Sequence, residues 1–311
     1  MNKKVLVMGG NGFIGNNIVE HLAKNGYEVE IYDIAGKDNG YKNHIGNVLT
    51  DDNLEKLISD FDNIIYLITS VSPKKSMDFP EKSYTQDIPM LLRVLDCCIK
   101  TGYGKKVIFS SSGGTVYGEG LNKILKEDEV IEEPINHYAN CKLACEKILL
   151  LYNKLYKMNN IILRISNPYG RGQNPSSGVG AITTFTDKIL KCEEITLFGN
   201  GDTIRDYIDV YYVADAFLKA IEYKNENNIT PVFNVGSGIG LCLKDIIDII
   251  SSSLNVIPNI NYLPERPFDV KSNILNTEKA QKYLGLKAHT KEEIEQSISN
   301  YAREMSRRVR S

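Results

Sequence analysis

VLVMGGNGFIG, residues Val5 to Gly15, decides the fold. Four consecutive apolar residues suit a strand buried on both faces, and the glycines at 9, 10, 12 and 15 suit a chain that turns sharply into a helix. Glycines there let the backbone approach a pyrophosphate and let helix pack on strand, while the helix start offers unpaired N–H groups and partial positive charge. Gly9, Gly12, Phe13, Ile14 and Gly15 are therefore expected to cradle a dinucleotide phosphate. A second apolar run ends at Tyr32-Asp33, 18 residues past Gly15, where a carboxylate accepts hydrogen bonds from a ribose diol. No arginine closely follows Asp33 to neutralise a 2′-phosphate, so the pattern favours NAD over NADP.

Outward from this turn, Val29 to Tyr32, Ile64 to Ile68, Val107 to Phe109 and Ile161 to Ile165 read as strands. Gly12 to Lys24, Leu54 to Ser59, Ile88 to Lys100 and Tyr138 to Tyr156 carry helical periodicity. In the last, Leu143, Ile148, Leu151 and Leu155 mark an apolar stripe, with Lys142, Glu146 and Lys147 off it. Strand and helix in alternation predict an α/β fold, a Rossmann-type doubly wound parallel sheet, as an NAD-binding domain over residues 1–166. Asn167 to Gly178 is rich in turn residues and reads as a ligand loop at a domain boundary. Residues 167–311 are expected to form a second, smaller mixed α/β domain for substrate, with strands at Ile204 to Val210 and Val232 to Val235 and with segments around 204–235 packing back on the first.

A formal net charge of −2, with Lys and Arg dispersed along 311 residues, leaves no electrostatic footprint for nucleic acid. The basic tip Arg307 to Arg310 reads as a solvated terminus. Six cysteines in a chain this long read as free thiols in a reducing compartment, and Cys141 and Cys145 lack the nearby histidine of a zinc set, so no metal is expected. With no apolar h-region and no 18-residue apolar run, the expectation is a cytoplasmic protein with no membrane partner.

Two further stretches carry chemistry. In YANCK, Tyr138 and Lys142 stand four apart on one helix face, where the ammonium, joined by an oxidised nicotinamide, favours the phenolate and brings the tyrosine into range for acid-base work. In FSSSGGTVYG (Phe109 to Gly118), Ser110, Ser111 and Ser112 leave the sheet at the carboxyl end of a strand, over the cofactor, and Gly113 and Gly114 let the backbone pass close by.

Together with RISNPYGRGQ (Arg164 to Gln173), LFGNGDTIRDYIDV (Leu197 to Val210) and ERPFDV (Glu265 to Val270), these motifs make the chain resemble the extended short-chain dehydrogenase/reductase family, from about residue 3 to 300. The resemblance implies NAD-dependent C4 epimerisation of a UDP-hexose through a transient 4-keto intermediate, the substrates being UDP-Glc and UDP-Gal and, by extension, UDP-GlcNAc and UDP-GalNAc. Tyr138 would be the base, and Lys142 its partner and a ribose ligand. Asp33 would hold the adenosine ribose, Asn47 and Val48 would contact adenine, and Leu67 and Ser111 would lie along the cofactor. Asn167 would meet the diphosphate, Arg205 and Arg266 would grip it, Phe198 would lie near the uracil and Asp269 near its ribose. Asn273 would gate the pocket near the sugar's C2 substituent. The resemblance also implies a homodimer formed by the helices Ile88 to Lys100 and Tyr138 to Tyr156, and a supply of activated sugar for surface polysaccharide.

Departures from the family pattern are equally specific. Counted back from Val116-Tyr117-Gly118, the usual catalytic Ser/Thr falls on Gly113, which leaves Ser112, Thr115 or a water to supply that hydroxyl. Tyr66-Leu67-Ile68-Thr69 replaces a His/Phe-Ala-Ala/Gly stretch, and Asp87 stands where Asn is typical. Gly114-Thr115 replaces the acid pair of 4,6-dehydratases. A 4-keto-sugar reductase, a 4-dehydrogenase and a non-catalytic dinucleotide-sensing or scaffolding protein are the alternatives.

Overall fold

Runs that are apolar at every position become strands shielded on both sides: Val5, Leu6, Val7, Met8, Ile64, Ile65, Val107 and Ile108 have no exposed surface. The computed structural model describes residues 3–102, 104–118, 124–129, 132–226, 229–265 and 270–310, with side chains to 308. In chain order the strands are β1 Lys4–Met8, β2 Glu28–Asp33, β3 Lys42–Ile45, β4 Asn63–Tyr66, β5 Lys106–Ser112, β6 Ile124–Leu125, β7 Ile161–Ile165, β8 Asn167–Tyr169, β9 Ile195–Phe198, β10 Ile204–Asp209, β11 Val232–Val235, β12 Gly240–Cys242, β13 Ile260–Leu263 and β14 Ser272–Leu275. Seven of them form one parallel sheet in the order β3-β2-β1-β4-β5-β7-β11. Strand order reverses between β1 and β4, which opens a crevice at the carboxyl ends of the strands.

Apolar layers cover both faces of this sheet. Helices Phe13–Lys24 and Val210–Glu222 pack on one, and Leu54–Ser59, Ile88–Lys100 and His137–Tyr156 on the other. Adjacent residues of β5 point to opposite faces, so Lys105, just before the strand, and Lys106 cap different helices. Lys105 Nζ donates to the carbonyls of Ile58 and Phe61 at 2.9 and 2.7 Å. Lys106 Nζ donates to Ile221 and Tyr223 at 2.9 and 2.8 Å, and burial draws its ammonium down to about 8.

The sequence reading missed β3, whose KNHI is polar because it is an edge strand held by charge. Buried Glu30 on β2 meets Lys42 at 3.0 Å and His44 at 2.5 Å. A second sheet runs β12-β10-β14-β6, with β8 also paired to β10. Its β6 comes from before residue 166, while β11 and the Val210–Glu222 helix, from after it, belong to the large sheet, so sheet membership crosses that residue in both directions. The basic tip continues the last helix, Lys291–Arg310.

Candidate active site

The turn after β1 is built by clearance. Gly9 adopts φ +84°, and a Cβ on Gly15 would lie 2.3 Å from the Gly9 carbonyl oxygen, so turn and helix touch backbone to backbone. The Phe13–Lys24 helix that starts here has no side-chain cap and no acidic residue in its first turn. Its leading N–H groups thus face the crevice without an anion of their own, a fit to a pyrophosphate.

Beside the turn lies a cleft of about 800 Å³ whose walls include Gly9, Gly12, Asp33, Asn47, Val48 and Leu67, six of the expected cofactor residues. Asp33 Oδ2 accepts from the Asn11 amide at 3.0 Å and Oδ1 from the Ile34 amide at 2.8 Å. Two bonds leave lone pairs on both oxygens for a ribose diol. Asn47 Oδ1 accepts from the Leu49 amide at 3.0 Å, which shapes the turn that presents Val48. Two departures from the family pattern account for each other here: Asp87 accepts from the Thr69 hydroxyl at 2.9 Å and the Ser70 amide at 2.7 Å, which fixes the segment after β4.

Helix His137–Tyr156 carries Tyr138 and Lys142. Asn136 caps it by accepting from the Ala139 amide at 2.8 Å, and Ser76 Oγ accepts from the Tyr138 amide at 3.1 Å. Tyr138 is half-buried. Lys142 is 5% exposed, donates to the Ser110 carbonyl at 2.9 Å and holds its Nζ 5.6 Å from the Tyr138 ring centroid. The ammonium is thus fixed to the end of β5 beneath the tyrosine.

The facing of this helix differs from the sequence reading. Lys142 and Glu146 point inward, while Leu151 and Leu155 of the apolar stripe are 49% and 59% exposed. The polar side is buried because it is neutralised. Arg164 on β7 donates Nη2 to Glu146 Oε2 at 2.7 Å and to Glu132 at 2.8 Å, and Nε to Glu146 Oε1 at 3.1 Å. Burial opposes the Arg164 charge, but the hydrogen bonds and attraction of Glu146 prevail and hold the guanidinium above its ordinary value. Ser111 donates its hydroxyl to the same Glu146. Its buried side chain is therefore engaged inside the protein, which leaves only its backbone to face a cofactor.

At the serine-rich turn, Thr115 Oγ1 donates to Ser112 Oγ at 2.9 Å, and both residues are partly exposed. The Ser112 proton then remains available to a ligand oxygen. Residue 113 has no room for a hydroxyl: a Cβ there would lie 2.5 Å from Leu275 Cδ1 and 3.0 Å from the Arg164 carbonyl. Gly113→Ser, which restores the family's residue, is expected to cost about 1–3 kcal/mol by overpacking and to leave kcat no higher. Thermal unfolding and steady-state rates check this, and a faster enzyme of unchanged stability would contradict it.

The second sheet supplies the other end of the crevice. Asn167, Phe198 and Arg205 line a pocket of about 410 Å³. Asn167 Nδ2 donates to the Asp206 carbonyl at 2.9 Å. Asp206, missed in the sequence, joins the sheets: its carboxylate accepts from Ser237 N and Oγ, Gly238 N and Leu275 N, and burial pushes it up to about 6 against those donors. Arg266 and Asp269 lie outside the described residues. Asn273, expected to gate the pocket, is buried and donates Nδ2 to the Gly113 carbonyl at 3.2 Å, so it adjoins the serine-rich turn from behind. Asp206 lies within the quoted LFGNGDTIRDYIDV, and for Glu146 the available signal was an acid four residues after Lys142 on the same helix.

A glycine-lined nucleotide cleft together with a Tyr/Lys helix tied to the end of β5 marks a dinucleotide-dependent enzyme of the short-chain dehydrogenase/reductase type. The chain belongs to the NAD dependent epimerase/dehydratase family, matched over residues 5–236. It is 33% identical over 288 residues to a putative UDP-glucose 4-epimerase of Methanocaldococcus jannaschii, covering 89% of this chain and 91% of that protein. Among solved structures it is similar to the Thermotoga maritima UDP-glucose 4-epimerase with UDP-glucose (30% identity, TM-score 0.89, 98% and 99% of the two chains). It is also similar to the UDP-N-acetylglucosamine 4-epimerase of Methanobrevibacter ruminantium in complex with UDP-N-acetylmuramic acid (29%, TM-score 0.88, 97% of each).

Proposed function

We propose that the protein inverts C4 of a UDP-hexose, interconverting UDP-Glc and UDP-Gal. The observation that carries this reading is the buried Lys142 ammonium, held 5.6 Å from the Tyr138 ring centroid and bonded at 2.9 Å to the Ser110 carbonyl, on the strand that ends at Ser112 with its Thr115–Ser112 hydroxyl pair. Gly9, Gly12, Asp33, Asn47 and Val48 would hold NAD, which would supply the reversible hydride acceptor for C4. Tyr138 removes the 4-hydroxyl proton and gives it back to the 4-keto sugar. Lys142 supplies the positive charge beside the phenol, and Ser112, oriented by Thr115, donates to the same sugar oxygen. Asn167, Phe198 and Arg205 hold the UDP far from the reacting carbon, so that the hexose can present either face.

The reading extends to UDP-GlcNAc and UDP-GalNAc. Its support is that one structural relative is named for the N-acetyl substrate; Asn273, the expected gate, is buried behind the Gly113 turn and gives no support of its own. A homodimer through helices Ile88–Lys100 and His137–Tyr156 accords with the exposed Leu151, Leu155 and Tyr156. A cytoplasmic location accords with six free cysteines, and no described helix is long and apolar enough to cross a membrane.

The test incubates the purified protein, with whatever nucleotide it retains, with each of the four UDP-sugars and no reductant. Each pair is expected to reach equilibrium from either side without net change in NADH absorbance. Stoichiometric appearance or consumption of NADH would instead support a dehydrogenase or reductase, and no turnover would reject catalysis of this kind.

A further inference from the structure

The loop from Gly46 to Asn53 presents Asn47, Val48 and Leu49 to the nucleotide cleft, and Val48 also belongs to the apolar layer on the large sheet. Most of its own hydrogen bonds stay within it: Thr50 and Asp51 amides donate to the Asn47 carbonyl at 2.9 Å each. From β2 it receives the Tyr32 hydroxyl on Asp51 at 3.0 Å and offers the Gly46 amide to the Asp33 carbonyl at 3.0 Å. Beside that Tyr32 contact, two backbone carbonyls of its outer half are tied down by one side chain of a helix. Arg93, in the middle of the Ile88–Lys100 helix, donates Nη1 to the Leu49 carbonyl at 2.5 Å and Nη2 to the Asp51 carbonyl at 2.8 Å.

We propose that Arg93 is a positioning residue for the adenosine half of NAD: its guanidinium clamps the Leu49 and Asp51 carbonyls so that the Asn47–Leu49 edge meets the adenine. The inference rests on the cleft lined by Asp33, Asn47 and Val48 being the adenosine site. A planar fork with two donors on one side matches two carbonyls two residues apart in a fixed orientation, whereas an ammonium must bring one nitrogen within reach of both and holds them less rigidly. Hydrogen bonds from a charged donor are the stronger ones, so losing two of them should loosen the edge itself. Arg93 touches no residue of the Tyr138 helix in these bonds, so the effect should stay on the adenosine side.

The test compares wild type, Arg93→Lys and Arg93→Met as full chains, using equilibrium dialysis against NAD, competition by AMP and by nicotinamide mononucleotide, and UDP affinity at saturating NAD. In Arg93→Met, NAD and AMP affinity should fall about 10- to 100-fold, while nicotinamide mononucleotide and UDP affinity and kcat at saturating NAD stay within about twofold. Arg93→Lys, which keeps the charge and loses the fork, should show an intermediate loss, and it serves alone if the methionine variant does not fold. Unchanged AMP affinity in a folded variant overturns the proposal, as does an equal fall in all four affinities, which would mean general loosening. Wild-type protein that binds NAD without competition from AMP would instead locate the error in the assignment of the cleft.

Discussion

Tyr138→Phe is expected to lower kcat for UDP-hexose epimerisation by about 10²- to 10⁴-fold while leaving NAD and UDP affinity within about twofold. The phenol ring packs at the start of its helix, where the Tyr138 amide is bonded to Ser76 and the Ala139 amide to Asn136, so removing one oxygen leaves the helix start intact. What disappears is the phenol beside the Lys142 ammonium, the group that on the proposed reading takes and returns the proton at the sugar oxygen. Ser112 and Thr115 can orient that oxygen but are far weaker bases, so they do not compensate. Steady-state kinetics with calorimetric UDP titration separates the two effects, and an unaffected rate would assign the proton transfer elsewhere.

The largest stability effect is expected at Arg164. Its guanidinium is 2% exposed and joins Glu146, 1% exposed, with Glu132 on its outer side. Arg164→Met leaves the Glu146 carboxylate buried with the Ser111 hydroxyl as its remaining partner, and breaking such a pair costs about 3–5 kcal/mol. Removing both charges, as Arg164→Met with Glu146→Met, should restore part of the loss, since no lone charge then remains in the interior. Urea unfolding of the two single variants and the double variant measures this directly. A cost below about 1 kcal/mol in the single variant would mean that the pair behaves as a surface bridge.

These two sites also mark how far the chain can be read without coordinates. The glycine turn, the Asp33 strand end and the Tyr138/Lys142 spacing were legible because each needs a particular residue type in a local backbone setting. The all-apolar strands of the large sheet were legible because burial on both faces removes polar residues from them. The inward face of the catalytic helix was not, because the periodicity of Leu151 and Leu155 marks what is apolar and not what is covered. Glu146 reads as solvated until Arg164, 18 residues further on in β7, is seen against it. The second sheet was hidden for a related reason: strands such as Ile124–Leu125 and Gly240–Cys242 are too short to show a period, and their partners, residues 274–275 and 204–206, lie far away in sequence. Gly113 shows the opposite case. Its lost hydroxyl was plain in the sequence, while the cause, Leu275 filling the space, lies 162 residues away.

The central claim is that hydrogen leaves and returns to the same sugar carbon while Tyr138 handles only the proton. Turnover of UDP-galactose deuterated at C4, in ordinary water and without added reductant, tests it most directly by mass spectrometry and proton resonance of the product. Full retention of deuterium at C4 of UDP-glucose is expected. Loss of the label to solvent, or conversion that requires added NADH, would contradict the account.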